Sequence, residues 1–387
     1  MMTKLMNQML RSLRCFDWPL LLILFAFFGL SMLVMHSAVG STDYRFDGQL
    51  RNYINPYFAM RCMAMNKPPV MMRLAVPGYI LGLLLLVAVM LFGVTQKGAT
   101  RWLDLGPINV QPSEMMKLAM PLMLAWYFDR YRNSLSLMDF IVAIVLLMVP
   151  FGLIIKQPDL GTALLVFGSG FFVIYFAGLS FKLLLPVFIA GVTVLTLVIT
   201  YQDVLCQPDF DWVVLRDYQK HRVCTLMDPS KDPLGKGFHT IQGMIAIGSG
   251  GIYGKGYMQG TQTHLDFIPE RTTDFIFAVY AEEFGLYGCI FLLALYTLLL
   301  ARGFVIALKA RTQFGRILAG AITMTFFVYI FVNMGMVMGI LPVVGVPLPF
   351  MSYGGTALVT LGLACGMLMS ISNYVPSVAD QREYLER

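Results

Sequence analysis

The chain is 387 residues long, 58% hydrophobic and only 13% charged, with a formal charge of +6 at pH 7 and a mean hydropathy of +0.71. Soluble globular chains carry about 25% charged residues, so these values exclude a soluble domain and a disordered one, and the long unbroken apolar runs exclude a transmembrane β-barrel. What is left is an all-α polytopic membrane protein, in which modest positive charge reflects topology and lipid headgroups before nucleic acid.

A membrane span needs about 20 apolar residues at about 1.5 Å each. The N-terminal "MMTKLMNQMLRSLRCFDW" is basic and precedes a long apolar run at 19–38. No small-residue cleavage site follows that run cleanly, so it reads as a retained first helix rather than a signal peptide. Further clear spans are predicted at 75–94, 139–156, 160–178, 181–201, 274–301, 316–340 and 354–373. Two weaker ones are read at 112–128, which carries Glu114 and Lys117, and at 52–68, which carries Pro56, Arg61 and Pro68. The segment 52–68 is poor for a lipid-facing helix and crosses only if neighbours shield it.

About ten spans result, with both termini on one side. The basic residues orient the chain. With 1–18 and 374–387 cytoplasmic, the inner segments hold Lys67, Arg73, Arg130, Arg132, Lys182, Arg302, Lys309 and Arg311, among others. The short outer loops hold only Arg45, Arg51, Lys97 and Arg101. Dropping 52–68 would place "DRYRN" outside, against the rule, so the charge count itself argues for that span. A large extracytoplasmic loop, 202–273, then joins the seventh and eighth spans of what reads as one membrane domain, 1–387. Polar residues collect on this outer rim: the loop 95–111, the Gln157-Pro158-Asp159 turn, the large loop, and the turn 341–353. A secondary transporter would place its ionisable groups near the bilayer midplane instead.

Five stretches carry the chemistry. In "RWLDLGPINVQPSEMMK", Pro112 suits a first helical turn and Glu114 suits the positive end of the helix dipole. Glu114 and Lys117, three apart, share a face and can pair. They read either as an ion pair that seats the helix or as a cation that meets an anionic substrate. In "KQPDLGTALL", Asp159 can cap the helix that follows Pro158. The glycine-rich "DPLGKGFHTIQGMIAIGSGGIYGKG" permits close backbone approach and an anion nest beside Lys236 and Lys255, or is a flexible loop. His221, His239 and His264 lack metal-ligand spacing. In "HLDFIPERTTDFIFAVYAEEFG", Thr272 and Thr273 are candidate caps and Asp274 opens a helix. Glu282 and Glu283 lie about two turns further in, where charge is costly unless paired. Finally, "LPVVGVPLPFMSYGG" has too many prolines and glycines for a regular helix. Irregular backbone at membrane depth survives only when buried or lining a cavity. Of six cysteines, Cys206 and Cys224 share the large loop, and an oxidising compartment would allow them to bond.

Taken together, "RWLDLGPINVQPSE", "QPDLGTALL", "FIPERTTDFIFAVYAEE" and "LPVVGVPLPFMSYGG" resemble the SEDS family (shape, elongation, division and sporulation), also called the FtsW/RodA/SpoVE family. The resemblance runs over nearly the whole chain, and "IPERTTDFIFA" is nearer the RodA branch than the FtsW branch. The segment 52–68 departs from it, since the family has an ordinary apolar span there. The resemblance implies a ten-helix bacterial inner-membrane peptidoglycan glycosyltransferase acting in cell elongation, with its active site on the outer face. Such enzymes polymerise lipid II, an undecaprenyl-pyrophosphate-linked disaccharide peptide. Their partner is a class B penicillin-binding protein transpeptidase, within the elongation machinery and the membrane lipids; nucleic acid is not a partner. It also matches the family's essential Asp to Asp274, and its Glu and Lys to Glu114 and Lys117. The chemistry calls for a carboxylate base and for cations at a leaving pyrophosphate. Asp274 is therefore expected as the base. Lys117, Arg101, Arg271 and Lys236 are expected around the pyrophosphate, with a divalent cation (Mg or Mn) as the one cofactor considered. Glu114 is expected to position Lys117, and Ser352 to shape the cavity. The rival readings are a lipid II flippase and a non-catalytic scaffold for the transpeptidase.

Overall fold

The computed structural model describes residues 16–39, 44–96, 99–104, 106, 109–131, 135–207, 217–227, 236–264 and 270–376. Helices dominate. In chain order they are α1 (Trp18–Val39), α2 (Tyr44–Met65), α3 (Pro68–Phe92), α4 (Pro112–Arg130), α5 (Leu137–Lys156), α6 (Leu160–Phe176) and α7 (Phe181–Thr200). There follow α8 (Gln202–Leu205), α9 (Asp217–Met227), α10 (Lys236–Gly250), α11 (Thr261–His264), α12 (Ile276–Lys309), α13 (Gln313–Val337) and α14 (Gly355–Asn373). Among the described residues, six helices are long and apolar enough to cross a membrane: α1, α3, α5, α12, α13 and α14. The chain is thus a membrane protein. The spans of α13 and α14 are 78% and 67% buried, against 22–33% for the other four, so these two form the centre of the bundle. The outer helices expose large apolar side chains such as Leu22, Phe25, Leu84 and Leu293, which lipid tails solvate without penalty.

The weak span at 52–68 is a helix displaced toward the N-terminus: α2 starts at Tyr44 and stops before Pro68, which instead opens α3. Proline fits a first helical turn, where its missing N–H costs nothing. Gln49, Pro56, Met60 and Ala64 form the buried stripe of α2. It lies on α14 at close range, because a Cβ on Gly362 would sit 2.6 Å from the Pro56 carbonyl and one on Gly366 2.4 Å from that of Met60. Two small residues four apart let helix backbones meet in this way. They supply the shielding that the polar sequence of α2 requires.

Three departures from the sequence-based expectation concern the polar rim. Between α3 and α4 the chain is not a plain loop. It forms a small antiparallel sheet in the order β1 (Val94–Gln96), β2 (Ala99–Asp104), β3 (Asn109–Val110). Such short strands show no readable alternation. Among its described residues the segment 202–273 contains four helices, α8 to α11, and Cys206 and Cys224 form the disulfide that the sequence left open. Within the glycine-rich stretch, Lys236–Gly250 forms the helix α10 and 251–256 a turn that follows it. Tertiary packing overrides its low propensity: a Cβ on Gly250 would lie 2.2 Å from the Ala281 carbonyl of α12.

The third departure is within α12. Gly285 is non-helical (φ 61, ψ −158), a conformation essentially open to glycine alone. The broken ladder is repaired by the loop after α10. Lys255 N and Gly256 N donate to the Glu282 and Glu283 carbonyls, each at 3.0 Å, and Leu286 N donates to Gly251 O at 2.9 Å. Residues 276–284 are therefore a short helical piece, and Leu286 to Lys309 is long enough to cross by itself. The single span predicted at 274–301 is two pieces joined at Gly285.

At the other end of the bundle, Asp17 ties three helices. Arg302 of α12 donates to it through Nε at 2.9 Å and Nη2 at 2.6 Å, Ser372 of α14 at 2.6 Å, and Leu20 N at 3.1 Å. Burial pushes the Asp17 carboxyl up, but these bonds and the Arg302 charge outweigh it and hold the group below its usual value. A depressed carboxylate stabilises the fold fully above its unfolded value, about pH 3.9, and the contribution is lost as pH falls through the folded value. Asp17→Asn is expected to cost about 1–3 kcal/mol and to flatten the acid limb of a plot of thermal midpoint against pH in detergent.

Candidate active site

Asp274 sits in a turn, not in the first turn of a helix, because α12 begins two residues later at Ile276. Thr273 does not cap that helix; its hydroxyl donates to Glu270 Oε2 at 2.8 Å. The turn is held by its own carbonyls. Thr272 O accepts from Tyr353 N at 2.8 Å, Thr273 O from Ser352 Oγ at 2.5 Å, and Asp274 O from Asn333 Nδ2 at 2.9 Å. Three consecutive peptide groups are thus fixed to the irregular 341–353 segment and to α13. Asp274 is half-buried, and its carboxylate lies beside the Gly345 backbone: a Cβ on Gly345 would lie 3.4 Å from Asp274 Oδ2. Gly345 itself has φ +73, the left-handed region that favours glycine.

The far side of that turn meets α6. A Cβ on Gly161 would lie 2.6 Å from Val344 O. Asp159 caps α6 by accepting from Thr162 N at 3.2 Å, and also accepts from Gln111 Nε2 at 3.2 Å. Arg101 of β2 reaches the same corner, with Nη2 donating to Pro158 O at 2.8 Å and Nη1 3.7 Å from Asp159 Oδ1. Its side chain is partly exposed. Arg101, the start of α6, the 344–346 backbone and Asp274 therefore follow one another across one rim.

Glu114 and Lys117 form the ion pair that their spacing predicts. The Lys117 Nζ to Glu114 Oε1 distance is 2.5 Å, and Thr360 of α14 donates to Glu114 Oε2 at 3.3 Å. Lys117 is only 3% exposed and its ammonium stands 5.2 Å from the centre of the Tyr329 ring, within cation–π range. A cavity of about 20 Å³ borders Lys117, Thr325, Tyr329 and Thr360. The ammonium is closed into this arrangement rather than presented to the rim.

The other expected residues are dispersed. Arg271 Nε donates to Ala38 O at 2.9 Å, at the end of α1. Lys236 opens α10, and its side chain lies outside the described residues. Ser352 is buried; its hydroxyl donates to Thr273 O and accepts from Leu348 N at 2.8 Å, so it supports the Asp274 turn from behind. Glu282 pairs with Lys255 at 2.5 Å and accepts from Thr261 Oγ1 at 3.0 Å and Gln262 N at 3.1 Å. Glu283 accepts from Ser37 Oγ. Both carboxylates are partnered, as their cost requires, but by the 250–262 region and α1 rather than by deep bundle positions. Among the described residues no three of His, Cys, Asp and Glu come together as a cation cage.

Tyr329, Asn333 and Thr360 contribute to this centre and were not singled out by sequence. Asn333 lies near the end of α13, eight residues before the proline- and glycine-rich segment. Its signal was available as one amide in an apolar helix.

A membrane bundle whose rim fixes a carboxylate at a helix entrance, with a buried ion pair behind it, defines a membrane-embedded protein with a candidate acid–base site. The chain belongs to the FtsW/RodA/SpoVE family, whose profile, described as "Cell cycle protein", matches residues 14–376. It is 48% identical over 358 residues to the peptidoglycan glycosyltransferase MrdB of Escherichia coli K12, covering 92% of this chain and 94% of that one. It is 35% identical over 379 residues to the probable peptidoglycan glycosyltransferase FtsW of Geobacter metallireducens, covering 94% and 96%. Its fold matches a chain of a solved peptidoglycan synthase complex, described as coordinating polymerization and crosslinking, with a TM-score of 0.76, 30% identity and coverage of 92% and 97%. It also matches the Thermus thermophilus rod shape determining protein RodA, with a TM-score of 0.67 and 27% identity over 92% and 96% of the two chains.

Proposed function

We propose that this protein is a peptidoglycan glycosyltransferase that polymerises lipid II during cell elongation, with Asp274 as general base. One observation supports the site assignment: a half-buried Asp274 whose turn is held by three consecutive main-chain anchors, with its carboxylate beside the Gly345 backbone. In the reaction, the acceptor hydroxyl oxygen of one lipid II bonds to the anomeric carbon of the growing strand. The bond from that carbon to pyrophosphate breaks, and the lipid pyrophosphate leaves with the electron pair. The hydroxyl proton passes to Asp274. Arg101 and Arg271 stand on the rim where the anionic leaving group would lie, and Lys236 opens the adjoining helix α10. The Glu114–Lys117 pair lies behind that rim, so it would act on the leaving group through the low-dielectric interior and not by contact. Ser352 acts by holding the Asp274 turn. A divalent cation (Mg or Mn) bound with the pyrophosphate would offset the charge of the leaving group.

An apolar groove of about 280 Å³ between α1, α2 and α14 supports a lipid substrate. It is lined by Leu21, Phe25, Tyr57 and Met60, and by Phe350, close in sequence to Ser352. In this reading ten helices cross the bacterial inner membrane, α2, α4, α6 and α7 joining the six apolar ones. The rim with Asp274 faces outward, and a class B penicillin-binding protein is the partner. The higher identity to MrdB than to FtsW favours elongation over division.

Purified protein, with and without the transpeptidase, is given labelled lipid II in detergent and then in vesicles. Glycan polymer is the expected product. Transfer across vesicles without polymer would make it a flippase, and neither product would leave a scaffold.

A further inference from the structure

The reading of Asp274 as base leaves open what sets its position relative to the wall it faces. Asn333 lies on α13, fully buried, and its side-chain amide reaches both halves of the site. Nδ2 donates to Asp274 O at 2.9 Å and to Val346 O at 2.7 Å. With two carbonyl acceptors, the amide orientation is fixed, since only the NH₂ end can serve both. Val346 follows Gly345, whose backbone faces Asp274 Oδ2. One side chain therefore holds the peptide of the base and the peptide of the opposing turn at a set separation. Four residues earlier on the same helix, Tyr329 lies under the Lys117 ammonium. Positions four apart share a helix face, about 6 Å apart along the axis.

We infer that Asn333 is a positioning residue for the transfer reaction: it fixes the Asp274 carboxylate against the Gly345 turn and registers that carboxylate with the Lys117–Glu114 pair through α13. This inference rests on the proposed role of Asp274. Replacing both hydrogen bonds with hydrocarbon frees two buried carbonyls and lets the base and the turn separate. A displacement of about 1 Å can cost about 10²-fold in rate. The loss falls on turnover and not on substrate binding, because Asn333 is buried behind the carboxylate.

The test uses four full-length proteins in detergent with labelled lipid II: wild type, Asp274→Asn, Asn333→Leu and the double variant. Expected are a fall of about 10- to 100-fold in kcat for Asn333→Leu with KM within about twofold, and no further loss when it is added to Asp274→Asn, as for groups that act as one unit. If Asp274→Asn itself polymerises at the wild-type rate, the base assignment fails, and this inference with it. If Asp274→Asn is inactive while Asn333→Leu keeps wild-type kcat, the base assignment stands and this inference alone is overturned. A further loss in the double variant, or a loss in KM rather than kcat, also overturns it. Should Asn333→Leu not accumulate in the membrane, Asn333→Asp, equal in shape but without the paired donors, is read in its place. Failure of both to accumulate identifies a folding residue and overturns the inference.

Discussion

Asp274→Asn is expected to reduce lipid II polymerisation by about 10²–10⁴-fold, the contribution of a positioned general base, with thermal stability close to wild type. The substitution keeps shape and removes basicity. It also leaves three anchors of the turn in place, because Tyr353, Ser352 and Asn333 bond main-chain carbonyls of residues 272–274. The measurement is turnover of labelled lipid II beside a thermal melt of the same preparation. Polymer at the wild-type rate would remove the base assignment. A folded, inactive variant that still binds lipid II supports it.

The second large effect is expected at Lys117. Lys117→Ala breaks a buried ion pair and leaves the Glu114 carboxylate inside the bundle, which costs about 3–5 kcal/mol for fully buried pairs. Activity loss in that single variant has two explanations, and a pair of substitutions separates them. Glu114→Leu with Lys117→Met replaces both charges by apolar groups of similar volume and keeps the packing over Tyr329. Replacing a buried pair by apolar groups of similar volume is often neutral for stability. The double variant is expected to melt near wild type yet to polymerise lipid II at least about 10²-fold more slowly, the size of effect seen when a preorganised electrostatic group is lost. Restored polymerisation in a restored fold would show that the pair only seats α4.

Much of the fold was legible because it depends on local composition. The six long apolar spans, the first-turn position of Pro112, the Asp159 cap and the Glu114–Lys117 pair all follow from residues a few positions apart. The break at Gly285 was not legible, since the stretch from Ile276 onward reads as one apolar helix. The break depends on hydrogen bonds from a loop some thirty residues earlier. For the same reason the sequence did not show that Lys255 of that loop pairs with Glu282. Thr273 looked like a helix cap because cap chemistry and turn chemistry use the same hydroxyl, and the choice of Glu270 as its partner is a matter of three-dimensional position.

By itself the sequence determined that this chain lives in a membrane, where its polar groups gather, and which acid stands at the entrance of a span. Those conclusions follow from transfer free energy and from local stereochemistry, which act residue by residue. Only the tertiary structure decided which long-range partners meet. Asn333 reaches Asp274, Tyr329 underlies Lys117, and the glycines of α14 admit the polar helix α2. Contacts between distant segments depend on how whole helices pack, and no local pattern encodes that.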